Sequence, residues 1–308
     1  MPTTSQDRSD ETRRVFLITW HKCGSQWIRD LLTHHLILHF SGFSNSGTTI
    51  KSGKKEPWPE IAEGNVVGPV YSAEYDDWVR HRRPGDRGIV VLRDPRDMIV
   101  SWYFSLSYSH VKNDRVRELR EDFLRLSPSD RLLAQVANFI IRFPSFRSWI
   151  KVGWGVSELE GVYVTSYERF VADTEGELKA IVDFLGWEMP PGVLAEAVRE
   201  LSFEQRSGRE RGAEDPFSHY RKGVPGDWAN HFTFSAGYTL DAVCRGFLAE
   251  SGYDPDPKWF SRLTGGNGQL SEVDGQRLRE NIEKEGEIAR LREEIRLLRA
   301  ELERSSQS

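Results

Sequence analysis

The stretch RRVFLITWHKCGSQWIRDLL, residues 13–32, is the one from which the fold is read. Val15, Phe16, Leu17 and Ile18 form an unbroken apolar run, which suits a strand buried on both faces. Trp27, Ile28, Leu31, Leu32, His35 and Leu36 then recur at helical spacing. Between them lies a short polar turn with Lys22, Gly24 and Ser25. In the first turn of a helix the backbone N–H groups have no intrahelical acceptor and point along the positive end of the dipole. A lysine beside them adds a point charge, so the unit can cradle a phosphate or sulfate. The turn is not a GxxxxGK[ST] loop, because Lys22 precedes Gly24 and no partner glycine stands upstream. Taken alone, the pattern also fits an ordinary strand-to-helix connection.

The totals narrow the class. A chain of 308 residues has room for one large α/β domain or two smaller ones, and its apolar fraction of 38% supports a substantial core. The net charge of −5 argues against general nucleic-acid binding, so any basic anion site must be local. Cys23 and Cys244 are the only cysteines, too few for a disulfide framework, and a reducing compartment fits. The first apolar run is too short for a signal peptide or a membrane span, and the expected location is cytoplasmic.

Outward from the opening unit, residues 1–13 read as a disordered lead-in, residues 14–262 as the folded domain, and residues 263–308 as a linker and a charged helix. Residues 41–65 are rich in Gly, Ser, Lys and Pro and form a long connector. Val66–Ser72 is a second strand weakened by Gly68 and Pro69, Ile89–Leu92 a firmer one, and Val162–Thr165 another. Pro95 sits at a favoured first-turn position of a helix. Helices follow over Arg115–Leu126, over Arg131–Lys151 with an interruption near Pro144, over Glu175–Leu185, over Val193–Leu201 and over Leu240–Glu250. Gln205–Trp228 is polar, rich in Gly and Arg, and has little regular pattern. The alternation implies a parallel sheet flanked by helices, with ligands at the carboxyl ends of the strands. Past Gly268, Ile288, Leu291, Ile295, Leu298 and Leu302 make a coiled-coil-like seam of about two heptads, read as a homo-oligomer contact. Packing on its own domain or on a partner competes with that reading.

Three stretches carry chemistry: TWHKCGSQW, LRDPRDMIVSWY and YRKGVPGDWANHFT. The second places Arg93 at a strand end and Ser101 about two helical turns on. The third sets Arg221 and Lys222 beside two glycines, a loop able to wrap a phosphate. In this order they resemble the sulfotransferase family, which uses 3′-phosphoadenosine 5′-phosphosulfate (PAPS). The third stretch matches that family's RKGxxGDW pattern outright, and TSYERFVADTEGELKAIVDFLG resembles another of its segments. The resemblance spans about residues 15–233.

The resemblance implies a P-loop NTPase-like α/β sulfotransferase fold and roles for individual residues. Lys22, Cys23, Gly24, Ser25 and Gln26 are expected at the 5′-phosphosulfate. Trp27, Tyr167 and Phe203, with Leu201 and Ser202 alongside, are expected at the adenine, where core packing is the competing role. Arg93, Ser101, Arg221, Lys222 and Gly223 are expected at the 3′-phosphate. The first loop departs from the family's PKSGTTW, carrying His21 for Pro, Cys23 for Ser, and Ser25 and Gln26 for the two Thr. Lys22 is the expected stabiliser of the departing nucleotide. No metal is expected, because clustered ligand spacing is missing from the sequence. The family's histidine base falls at Ala73, which makes Glu74 the candidate base, with His81 and then Asp76 behind it.

The acceptor is read as a hydroxyl or amine of a small molecule, lipid or carbohydrate, with Trp58, Tyr103, Phe104, Tyr108 and the basic residues 51–55 as pocket candidates. A P-loop-type kinase and a non-catalytic nucleotide-binding scaffold on the same fold are the alternatives.

Overall fold

The structure is a computed structural model that describes residues 12–52, 57–109, 114–157, 161–244 and 246–263. In chain order the elements are β1 (Arg14–Thr19), α1 (Ser25–Leu32), α2 (His35–Ser41), β2 (Ser44–Asn45), β3 (Ile50–Lys51), β4 (Asn65–Tyr71), α3 (Tyr75–His81), β5 (Asp86–Leu92) and α4 (Pro95–Phe104). They continue with α5 (Asp114–Arg125), α6 (Pro128–Ser148), β6 (Gly155–Ser157), β7 (Val162–Ser166), α7 (Tyr167–Ala172), α8 (Thr174–Phe184), α9 (Val193–Glu200), α10 (Phe203–Ser207), α11 (Phe234–Val243) and α12 (Phe247–Glu250). The coiled-coil-like segment and residues 1–11 lie outside the described residues.

β1 is central. The sheet runs β2-β4-β1-β5-β7-β6, with β3 also on β4, and the described pairings are parallel except β6 on β7. The unbroken apolar run of β1 is explained by its two faces. Phe16 and Ile18 join a core built with α4, α6 and α11, whereas Val15 and Leu17 join a second core built with α1, α8 and α9. At the amino edge Arg14 and Asp86 close a buried bidentate pair, both N–O distances 2.8 Å, which locks the starts of β1 and β5. Thr12 Oγ1 donates to Leu185 O at 2.8 Å and Arg13 N to Gly85 O at 2.7 Å, so the chain is already anchored by residue 12.

Four local readings change in the folded chain. The helical run from Trp27 to Leu36 is split, because the Thr33 hydroxyl turns back onto Arg29 O at 2.8 Å and His34 is extended. α6 passes through Pro144 without interruption. A proline inside a helix costs about 3 kcal/mol, and aromatic packing of Phe143 and Phe146 on Phe247 holds both halves. The helix expected over Leu240–Glu250 is broken at Cys244, between α11 and α12. The patternless Gln205–Trp228 stretch is ordered by arginines on carbonyls rather than by apolar periodicity. Arg209 donates to Ala213 O and Tyr220 O at 2.5 and 2.6 Å, and Arg211 to Gly223 O at 3.1 Å.

Candidate active site

The carboxyl ends of β1, β5 and β7 meet at one crevice, and the first loop shapes its floor. Lys22 and Gly24 both have φ of 75°, the left-handed region, and α1 starts at Ser25 with no side-chain cap on its first N–H groups. A Cβ on Gly24 would lie 2.7 Å from the Tyr167 ring, so only glycine allows this approach. Ser25 Oγ and Gln26 Nε2 lie 3.0 and 3.3 Å from the Tyr71 hydroxyl at the end of β4. Cys23 is buried against Met98, and burial pushes its thiol up to about 12, so it is inert as a nucleophile.

Arg93 leaves β5 and reaches over this loop. Its Nη1 donates to Lys22 O at 2.8 Å, its guanidinium lies 4.2 Å from the Tyr167 ring centre, and its buried Nε has no hydrogen-bond partner among the described residues. An orphaned buried donor beside two other cations suits an anion. The Lys22 ammonium is half-buried, and burial, then Arg93, then Arg221 lower its pKa from 10.5 to about 8. That repulsion reflects Arg221, far away in sequence, lying in the neighbourhood of the first loop.

The RKGVPGDW loop is fastened to α4 through one carboxylate. Asp97 accepts from Gly226 N at 2.6 Å and from Trp228 N at 3.0 Å. Asp227 is buried and receives Arg221 at 2.6 Å, Lys222 at 2.5 Å, Asn230 at 2.9 Å and His231 at 3.1 Å. Burial pushes its pKa up, but hydrogen bonds from Lys222, Asn230 and Arg221 outweigh that and hold it well below the usual carboxylate range. Arg221 also pairs with Glu214 at 2.6 Å and covers Phe104 at 4.3 Å. Gly223 has φ of 71°, and a Cβ there would lie 2.5 Å from Phe203. Ser101 is half-buried on α4.

Trp27, Phe203, Leu201 and Ser202 form a second corner. Trp27 Nε1 donates to Leu201 O at 2.9 Å, Ser202 caps α10, and Arg211 lies 5.8 Å from the Trp27 ring centre and 5.6 Å from that of Phe203. Tyr167 is buried beneath Arg93 and edge-on to Trp27.

The fold therefore brings together Lys22, Gly24, Arg93, Arg221 and the aromatic corner. It does not bring His81 to them. α3 runs back from the end of β4, and His81, at its far end, stacks on Trp58 at 4.9 Å while Trp58 packs on Phe16. Trp58 thus belongs to that core. Glu74 is exposed at the start of α3, where its N–H donates to the Asp77 carboxylate at 3.1 Å, and Asp76 is exposed beside it. Ala73 is sealed in the core with its carbonyl held by Trp149. Arg211, Asp97 and Tyr71 are site neighbours to which sequence reasoning assigned no role, and His21 entered it only as the residue in place of the family's proline. Arg211 sits in a stretch with no periodicity, and Asp97 acts only through the folded RKG loop.

A sulfotransferase domain model matches residues 82–262, more than half of the chain. Over 266 residues the chain is 28% identical to a 3-alpha-hydroxysteroid sulfotransferase of Cavia porcellus, covering 79% of this chain and 85% of that one. It is 23% identical to Sulfotransferase 2A1 of Homo sapiens over 265 residues, covering 77% and 84%. Mouse sulfotransferase SULT7A1, crystallised with PAP, shares the fold with a TM-score of 0.51 and 16% identity over 82% of this chain and 88% of that one. The chain belongs to the sulfotransferase family and is a PAPS-dependent enzyme that moves a sulfuryl group to a small-molecule acceptor.

Proposed function

We propose that this chain sulfates a hydroxyl on a small acceptor with an apolar body, using Lys22, Arg93 and Arg221 as the electrostatic centre of the site. The observation that carries this reading is the meeting of those three cations, from three separate motifs, over a helix N-terminus that has no side-chain cap. PAPS supplies the activated sulfuryl group. Ser25, Gln26 and the first N–H groups of α1 hold its 5′ end, and Lys22 stabilises charge on the departing oxygen. Arg93, Ser101, Arg221, Lys222 and Gly223 hold the 3′-phosphate, with Arg93 Nε offering a donor that has no acceptor among the described residues. Trp27 and Phe203 flank the adenine, and Arg211 is added to them.

The named relatives that act on hydroxysteroids support an apolar acceptor. So does the aromatic row Phe104, Tyr108 and Phe217 beside Arg221, with ring centres 5.9 and 5.5 Å apart. Lipids and glycans remain the other acceptor classes. Among the described residues no helix is long and apolar enough to cross a membrane. A cytoplasmic location is supported by two buried free cysteines. The segment after Gly268 is proposed to associate chains, and deleting it should lower the mass in light scattering.

The test is calorimetric titration with 3′,5′-adenosine bisphosphate, with ATP and AMP as controls, followed by radiolabelled PAPS turnover on phenols and hydroxysteroids. Selective bisphosphate binding and labelled product are expected. Equal or absent binding of the three nucleotides would overturn the assignment.

A further inference from the structure

The in-line reaction needs a group to take the acceptor's proton, and the residues so far discussed leave that task open. Ala73 holds the family's histidine position with a methyl group in the core, and His81 lies at the far end of α3. A substitute must be titratable near neutral pH, reachable from solvent, and within a side chain's length of Lys22.

His21 meets these conditions. It directly precedes Lys22 in the first loop and is exposed. Its ring stacks on Tyr71, centre to centre 4.0 Å, with the planes inclined by 20°. The hydroxyl of the same Tyr71 is the one that meets Ser25 and Gln26 of the cradle. The imidazole is thus seated on the end of β4 at the mouth of the cradle, held by the face of the tyrosine whose hydroxyl touches the anion loop. The charged neighbour in its own loop is Lys22, and Lys22 is in turn coupled to Arg93 from β5 and Arg221 from the RKG loop. Where the family's first-loop pattern has proline, this sequence places an imidazole.

We propose that His21 is the general base of the transfer and that Tyr71 positions it. A ring nitrogen of His21 accepts the acceptor's O–H proton as the acceptor oxygen forms its bond to sulfur. The bond from sulfur to the bridging phosphosulfate oxygen breaks, its electron pair stays on that oxygen, and Lys22 stabilises the charge. The imidazolium then returns its proton to solvent. This inference rests on the sulfotransferase reading.

The experiment compares wild type with His21→Ala, His21→Asn and Tyr71→Phe, using radiolabelled PAPS with a phenol and a 3-hydroxysteroid, and titrates each protein with the bisphosphate. A general base typically contributes about 10²–10⁴-fold. Both His21 variants should therefore lose about a hundredfold or more in kcat while bisphosphate affinity stays within about threefold. The wild-type rate should fall on the acid side over the imidazole range, about pH 5–8, and the variants should lose that limb. Added imidazole should restore part of the His21→Ala rate. Tyr71→Phe keeps the stacking face and should retain the acid limb.

A kcat within threefold of wild type, an acid limb kept in both His21 variants, or a rate loss matched by lost bisphosphate affinity would overturn the assignment. Transfer of the missing role to Glu74, seen as a large loss in Glu74→Gln alone, would do the same. Failure of the underlying reading looks different, since wild type itself would then neither select the bisphosphate nor transfer. Selective binding without transfer to either acceptor overturns the apolar-acceptor reading and, with it, this assignment.

Discussion

Nucleotide binding should be coupled to proton uptake through Lys22. Burial and the neighbouring Arg93 and Arg221 lower its pKa from 10.5 to about 8. At 1.36 kcal/mol per unit, charging it there costs about 3 kcal/mol relative to water. An anion in the cradle removes that cost and returns the ammonium toward its ordinary value. Bisphosphate binding should then take up about half a proton at pH 8 and about 0.9 at pH 9, and affinity should be about tenfold weaker at pH 9 than at pH 7. The assay is calorimetry in buffers of different ionisation enthalpy, with Lys22→Met as control. The sign for stability is the reverse of the common lysine case. The folded pKa lies below the unfolded one, so the free protein should gain stability as pH rises from about 8 toward 10.5. Proton uptake below about a tenth at both pH values, or uptake that survives in Lys22→Met, would rule out Lys22 as the coupled group.

Three further outcomes are expected. Arg93→Ala should weaken bisphosphate binding by about 1.5–3 kcal/mol, the usual range for a charged hydrogen bond, and calorimetry showing unchanged affinity would remove Arg93 from the site. Gly24→Ala and Gly223→Ala each put a Cβ within 2.7 Å of an aromatic ring at a left-handed backbone position. Both should abolish detectable bisphosphate binding and lower the melting temperature, a loss of about 1–3 kcal/mol by strain and overpacking. Asp227, with its folded pKa depressed, contributes stability that is present above about pH 4 and lost as pH falls through the folded value. Thermal melts should therefore be insensitive to this group between about pH 5 and 7, and Asp227→Asn should flatten the loss seen in more acid solution.

What was legible in the sequence was what local pattern encodes. The apolar run Val15–Ile18, the strand at Ile89–Leu92 and the glycines of RKGVPGDW each signal their backbone through neighbours a few residues away, and those signals survive folding. β4 formed despite Gly68 and Pro69 because Val66, Val67 and Val70 are buried beside β1. The edge strands β2, β3 and β6 were silent, since two or three residues pairing with a distant strand leave no periodicity of their own.

The sequence by itself determined the kind of site: strand-to-helix loops bearing lysine, arginine and glycine can hold phosphates because their backbone N–H groups and charges are local properties. Only the tertiary structure decided how the parts act together. Arg221 lowers the pKa of Lys22, Asp97 fastens the RKG loop to α4, Arg211 lies near Trp27 and Phe203, and His21 stacks on Tyr71 across 50 residues of chain. It also turned His81 away, because α3 descends from the carboxyl edge and the stack on Trp58 holds the ring there. Electrostatic coupling and ring stacking depend on distance in space, and sequence spacing carries that distance only within a turn or two of one element.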